Sequence, residues 1–120
     1  MPCTLGKRKV KVINCTPHKI TYHGLEVREF EPSGTIIRVQ QDVDFMDPVE
    51  GLTTQKVKYG DVLNYPDVGY GTVLIVSQIV LNALRGRDLP GILIAPATGP
   101  GDNPIRDADG RIQGVTRFNI

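Results

Sequence analysis

The sequence predicts a single α+β domain, built mainly of antiparallel strands and hairpins, with one main helix over residues 78–85 packed on the sheet. Three observations carry this reading. Short segments alternate polar and apolar residues at period two, the mark of half-buried strands. Glycine, proline, asparagine and aspartate punctuate them at the spacing of tight turns. One apolar run, residues 72–77, gives way abruptly to a helical segment that carries its own start and stop signals.

The elements follow in order. Residues 9–13, Lys-Val-Lys-Val-Ile, alternate as a strand, and Thr16-Pro17 ends it because proline cannot donate to a ladder. Residues 19–22 and 25–30 form a hairpin that reverses at His23-Gly24, and Pro32-Ser33-Gly34 marks the next turn. Residues 35–41 and 53–59 are two further strands; the stretch 42–51 between them, with Asp42, Asp44, Asp47, Pro48 and Glu50, reads as a loop. Residues 60–71 are a connection rich in glycine, proline and asparagine.

After the strand 72–77, Ser77 is a good N-cap for a helix, and Gly86 with Pro90 is a good stop. Ile79, Val80, Leu81, Ala83 and Leu84 cover more than one face of that helix, so it should be buried against a sheet. Residues 91–96 are a second fully apolar strand. The intervening residues 78–90 are enough for a parallel β-α-β crossover, and an antiparallel placement remains open. Residues 98–103 read as an exposed loop. Asp107-Ala108-Asp109-Gly110 is a turn joining 104–106 to 111–118 in a closing hairpin.

Composition bounds the function. The 120 residues suit one domain with one core, and 40% hydrophobic with 22% charged residues is ordinary for a globular chain. The net charge of +1 provides no field that would draw nucleic acid or an anionic membrane. No apolar run approaches the ~18 residues of a membrane helix, and no signal peptide is evident. Cys3 and Cys15 are too few for a disulfide framework, which makes the cytoplasm the expected compartment. Residues 1–8 are expected to be a flexible basic segment ahead of a domain at 9–120; Lys7, Arg8, Lys9 and Lys11 read as a lysine-guarded strand edge, so nucleic-acid binding is not expected.

The candidate sites are sparse. Cys3, Cys15, His18 and His23 include a Cys15-x2-His18 couple, but the second couple of a structural zinc site is missing, so no metal is expected. His18 is a candidate general base, because histidine titrates near neutrality, and a backbone-bonded turn histidine is the competing account. Ser77 is not a nucleophile elbow, since Ile75 and Ile79 stand where glycines are required. Gly69-Tyr70-Gly71 precedes a strand and not a helix, so it is no phosphate loop, and no cofactor is expected. Asp107-x-Asp109-Gly110 lacks the distal glutamate of a calcium loop.

Several words then stand in a fixed order: Asn14-Cys15-Thr16-Pro17-His18, Pro32-Ser33-Gly34, Arg38-Val39, Ile75-Val76-Ser77, Arg87-Asp88-Leu89 and Arg106-Asp107-x-x-Gly110-Arg111-Ile112-x-Gly114. In that order they resemble a family of small uncharacterised proteins of prokaryotes and their viruses, phage or archaeal. That pattern runs from an Asn-x-Thr-Pro-His word to an Arg-Asp-x-x-Gly word. Cys15 replaces the leucine usual there, and no spacer separates Arg87 from Asp88. The resemblance implies that Asn14, Thr16, His18, Ser33, Arg38, Ser77, Arg87 and Asp88 converge on a ligand-binding surface.

The function expected is a non-catalytic interaction or ligand-binding module of viral or mobile-element origin, forming homo-oligomers through exposed strand edges. The alternative is an enzyme acting on a small phosphorylated or nucleotide-like substrate, with His18 as acid or base and Arg38 and Arg87 holding anionic oxygens.

Overall fold

The computed structural model describes residues 10–120. Cys3, Lys9 and the basic segment 1–8 lie outside the described residues. In chain order the elements are β1 (Val12–Asn14), β2 (Ile20–His23), β3 (Val27–Phe30), β4 (Arg38–Val49), β5 (Leu52–Leu63), β6 (Val73–Ile75), α1 (Gln78–Leu84), β7 (Ile92–Pro96), β8 (Ile105–Arg106), β9 (Ile112–Gly114) and β10 (Phe118–Asn119). The chain is strand-rich with one short helix, which agrees with the α+β expectation in outline.

The central sheet has the order β1-β6-β7-β10. Here the expectation of a mainly antiparallel sheet needs correction: β1, β6 and β7 run parallel, and only β10 is antiparallel. The reason is burial. Leu74, Ile75 and Val76 are fully buried, and a strand covered on both faces reads as a continuous apolar run. The β6-α1-β7 segment is therefore a parallel crossover. Ser77 caps α1 by accepting from the Val80 N–H at 3.2 Å, and Gly86 adopts a positive φ of 83° just beyond the helix.

Helix α1 buries Val80, Leu81 and Leu84 on Leu74, Val76 and Ala95 of the sheet region, with Cys15 and Ile37 completing the cluster. Each buried valine, leucine and isoleucine among them contributes about 1.5–3 kcal/mol of transfer free energy. The expected first hairpin is present as β2-β3. The closing hairpin is shorter than expected: β8 pairs with β9, but Phe118 and Asn119 leave it to pair with Pro96 and Ala95.

The largest departure lies at residues 42–51. They are not a loop. β4 and β5 pair along their length as one long antiparallel ribbon, from Arg38↔Leu63 to Val49↔Leu52. The acidic residues that suggested a loop alternate with apolar ones and meet lysines across the ladder, Asp42↔Lys58 and Asp44↔Lys56. Pro48 is accommodated at a register shift between Met46 and Val49, where a missing N–H costs least. Glu50 (φ 50°) and Gly51 (φ 76°) close the ribbon with the two positive φ values of a tight hairpin turn. β5 also continues through Gly60 to Leu63, into what had read as a connection.

Candidate functional site

Because β1, β6 and β7 run parallel, their carboxyl ends at Asn14, Ile75 and Pro96 lie along one end of the sheet. The residues that follow each strand, Thr16 to His18, Val76 to Gln78, and Thr98, line an open groove of about 520 Å³. The start of β4, with Arg38, Val39 and Gln41, forms its other wall. A crevice beyond the carboxyl ends of parallel strands is the usual place for a ligand in such sheets.

The segment 14–18 is locked from within. Asn14 is only 2% exposed, and its Nδ2 donates to the carbonyls of His18 at 2.7 Å and Phe30 at 2.9 Å. Its Oδ1 accepts from the Thr16 N–H at 3.0 Å and lies 2.7 Å from the Thr16 hydroxyl. The same hydroxyl accepts from the His18 N–H at 3.3 Å. An asparagine side chain bonding the backbone two residues on is an Asx turn, which accounts for Asn14 and Thr16 in physical terms. His18 is thus held through its backbone, and as an exposed residue it lines the groove.

Arg38 reaches the same groove because the Ile37 N–H donates to the Cys15 carbonyl at 3.2 Å, tying the start of β4 to the turn. Cys15 itself is a core residue, 1% exposed. Burial pushes its thiol above the ordinary range, with a hydrogen bond from Ser33 offsetting part of the rise. A protonated, enclosed thiol is neither nucleophile nor metal ligand. Among the described residues no group of three His, Cys, Asp or Glu side chains is arranged to hold a metal.

Gln78, the first residue of α1, is oriented twice: its Nε2 donates to Asn82 Oδ1 at 2.9 Å and its Oε1 accepts from Asn119 Nδ2 at 2.7 Å. The groove therefore presents one guanidinium, one imidazole, hydroxyls and amides over apolar walls, and no carboxylate among the described residues. That set can hold an anion through Arg38 and His18 while covering an uncharged ring or chain.

Of the residues singled out in the sequence, Thr16, His18, Arg38 and Ser77 come together here. Asn14 underlies them as the lock of the turn. Ser33 opens on another depression, with Lys11, Glu31 and Thr35. Arg87 and Asp88 follow the far end of α1, where Arg87 Nη1 donates to the Gly60 carbonyl at 2.7 Å and anchors β5. Gln41, Gln78 and Thr98 were not foreseen; for Gln78 and Thr98 the only signal was a place just after an apolar strand, which becomes informative once those strands are known to be parallel, and Gln41 lies inside β4 with no local signal. No protein-family model, curated protein or solved structure matches the chain.

Proposed function

We propose that the protein is a ligand-binding module without catalytic activity of its own, whose groove takes a small anionic ligand bearing an apolar or planar part. The observation that carries this is the convergence of Arg38 and His18 on a groove with apolar walls and no acidic lining residue. Its volume of about 520 Å³ suits a nucleotide-sized molecule. Thermal-shift screening against nucleotides and inorganic phosphate tests it: the matching ligand raises the melting temperature, and Arg38→Ala weakens its binding by about 10- to 100-fold, the value of a charge-assisted hydrogen bond. A flat response to every anion in the screen would sink the reading.

One observation favours a second reading, an enzyme using His18: the imidazole and Arg38 share the groove. Arg87 has no part in it, being engaged with Gly60. Turnover of the bound ligand, lost in His18→Ala at unchanged melting temperature, would decide for the enzyme. The order of the short words from Asn14 to Gly114 supports an origin in a prokaryote or its virus, with the host cytoplasm as the setting. Among the described residues no helix is long and apolar enough to cross a membrane.

A further inference from the structure

The β4-β5 ribbon stands out from the core as an arm, and its two faces differ. On the front face the rows Val39↔Val62, Gln41↔Tyr59, Val43↔Val57 and Phe45↔Gln55 carry no charge. On the back face Asp42 and Asp44 meet Lys58 and Lys56, with Lys58 Nζ 3.0 Å from Asp44 Oδ2. Val39 and Val62 pack against the core, so the front face continues the core outward into solvent, ending at Phe45, which is 75% exposed. A sheet face with that pattern is built to be covered.

We propose that a second copy of this chain covers it, the two arms stacking front to front about a two-fold axis, antiparallel to each other. Charge selects this geometry. Edge-to-edge pairing of two copies of β4 centred on Val43 would set Asp42 against Asp44, and of two copies of β5 centred on Val57 would set Lys56 against Lys58, so symmetric edge pairing about the middle of the arm is repelled. Front-to-front stacking keeps these charges on the outer surfaces, already matched within each chain. The face is also self-complementary. Phe45 and Tyr59 lie diagonally across the Val43↔Val57 row, so an axis through that row places each aromatic ring over a glutamine of the partner and valine over valine.

Area selects the direction. At ~3.3 Å per residue the arm is about 40 Å long, and a two-stranded face about 10 Å wide buries about 400 Å² per copy, half of a standard partner's share. Antiparallel arms carry the exposed tip residues Val49 and Leu52 onto the partner's body and supply more; parallel arms leave them at the open end. The dimer therefore belongs to the weak, concentration-dependent class.

Sedimentation of the full chain between about 1 and about 200 µM tests this, the range over which an interface of that size associates. The expected result is a monomer passing to a dimer and no further. Phe45→Lys should remain monomeric throughout with an unchanged melting temperature, since that side chain adds nothing to the core. In a Cys3→Ser background, Val43→Cys should be joined into a covalent dimer by a bismaleimide that spans about 8–10 Å, the separation of two stacked sheets and too far for a direct disulfide, and Asp44→Cys should not. A strict monomer, a dimer that survives Phe45→Lys, assemblies that keep growing, or cross-linking through Asp44→Cys in place of Val43→Cys would each overturn the proposal.

Discussion

At the scale of single residues, Asn14 does the most for the site without touching a ligand. Replacing it with alanine leaves the carbonyls of His18 and Phe30 and the Thr16 N–H without their partner in a buried place. Asn14→Ala should cost about 3 kcal/mol in urea unfolding, and a loss below about 1 kcal/mol would mean the turn holds without it. His18 behaves oppositely. Its bonds are made by its backbone, so His18→Ala should leave the melting temperature unchanged while weakening ligand binding. Cys15 contributes a pH dependence. Burial raises its folded-state pKa, so the native chain keeps a proton that the unfolded chain gives up; stability is complete below about pH 8.5 and falls as pH rises beyond it. Tyr65, whose half-buried hydroxyl donates to the Pro90 carbonyl and is raised by desolvation, adds to the decline at higher pH. Cys15→Ala should be less stable at neutral pH yet show a flatter alkaline limb in denaturation midpoints measured from about pH 7.5 to about pH 10.

At the scale of elements, the helix and the last hairpin depend on short local devices. Ser77→Ala removes the acceptor for the Val80 N–H and should cost about 1 kcal/mol, read from the shift in unfolding midpoint at constant slope. Gly114 on β9 is required by closeness and not by its φ. A Cβ there would meet the Thr21 carbonyl oxygen at 2.9 Å and come closer still to the His23 ring. Gly114→Ala should cost about 1–3 kcal/mol, and adding His23→Ala should recover only part, because the backbone oxygen remains. Glycine at 114 is thus explained by the packing of β9 against β2.

At the scale of the whole molecule, the radius of gyration of 17.5 Å exceeds the ~14 Å expected of a compact chain of this length. The longest dimension of 64 Å agrees with an arm that extends from the body. The two proposed activities therefore use adjoining parts that share the root of β4: the groove at the strand ends binds, and the arm associates. Gln41 belongs to both, lining the groove and lying on the front face of the arm. Phe45 does not line the groove, so Phe45→Lys should retain ligand binding, and titration of that variant by calorimetry checks it.

The local elements were legible in the sequence because their causes are local. The capped helix after Ser77, the hairpin β2-β3 and the turn at Asp107 to Gly110 each depend on residues a few positions apart, so propensity and turn chemistry suffice. Four of the groove residues, Thr16, His18, Arg38 and Ser77, were among the eight that the ordered words of the sequence singled out. Only the tertiary structure decided the parallel direction of β1, β6 and β7, since an apolar run is equally consistent with either direction until its neighbours are known. It also decided the fate of residues 42–51. Their charges resemble a loop when read alone and become a strand when Lys56 and Lys58 stand across the ladder, an interaction between residues far apart in the chain that no local window contains.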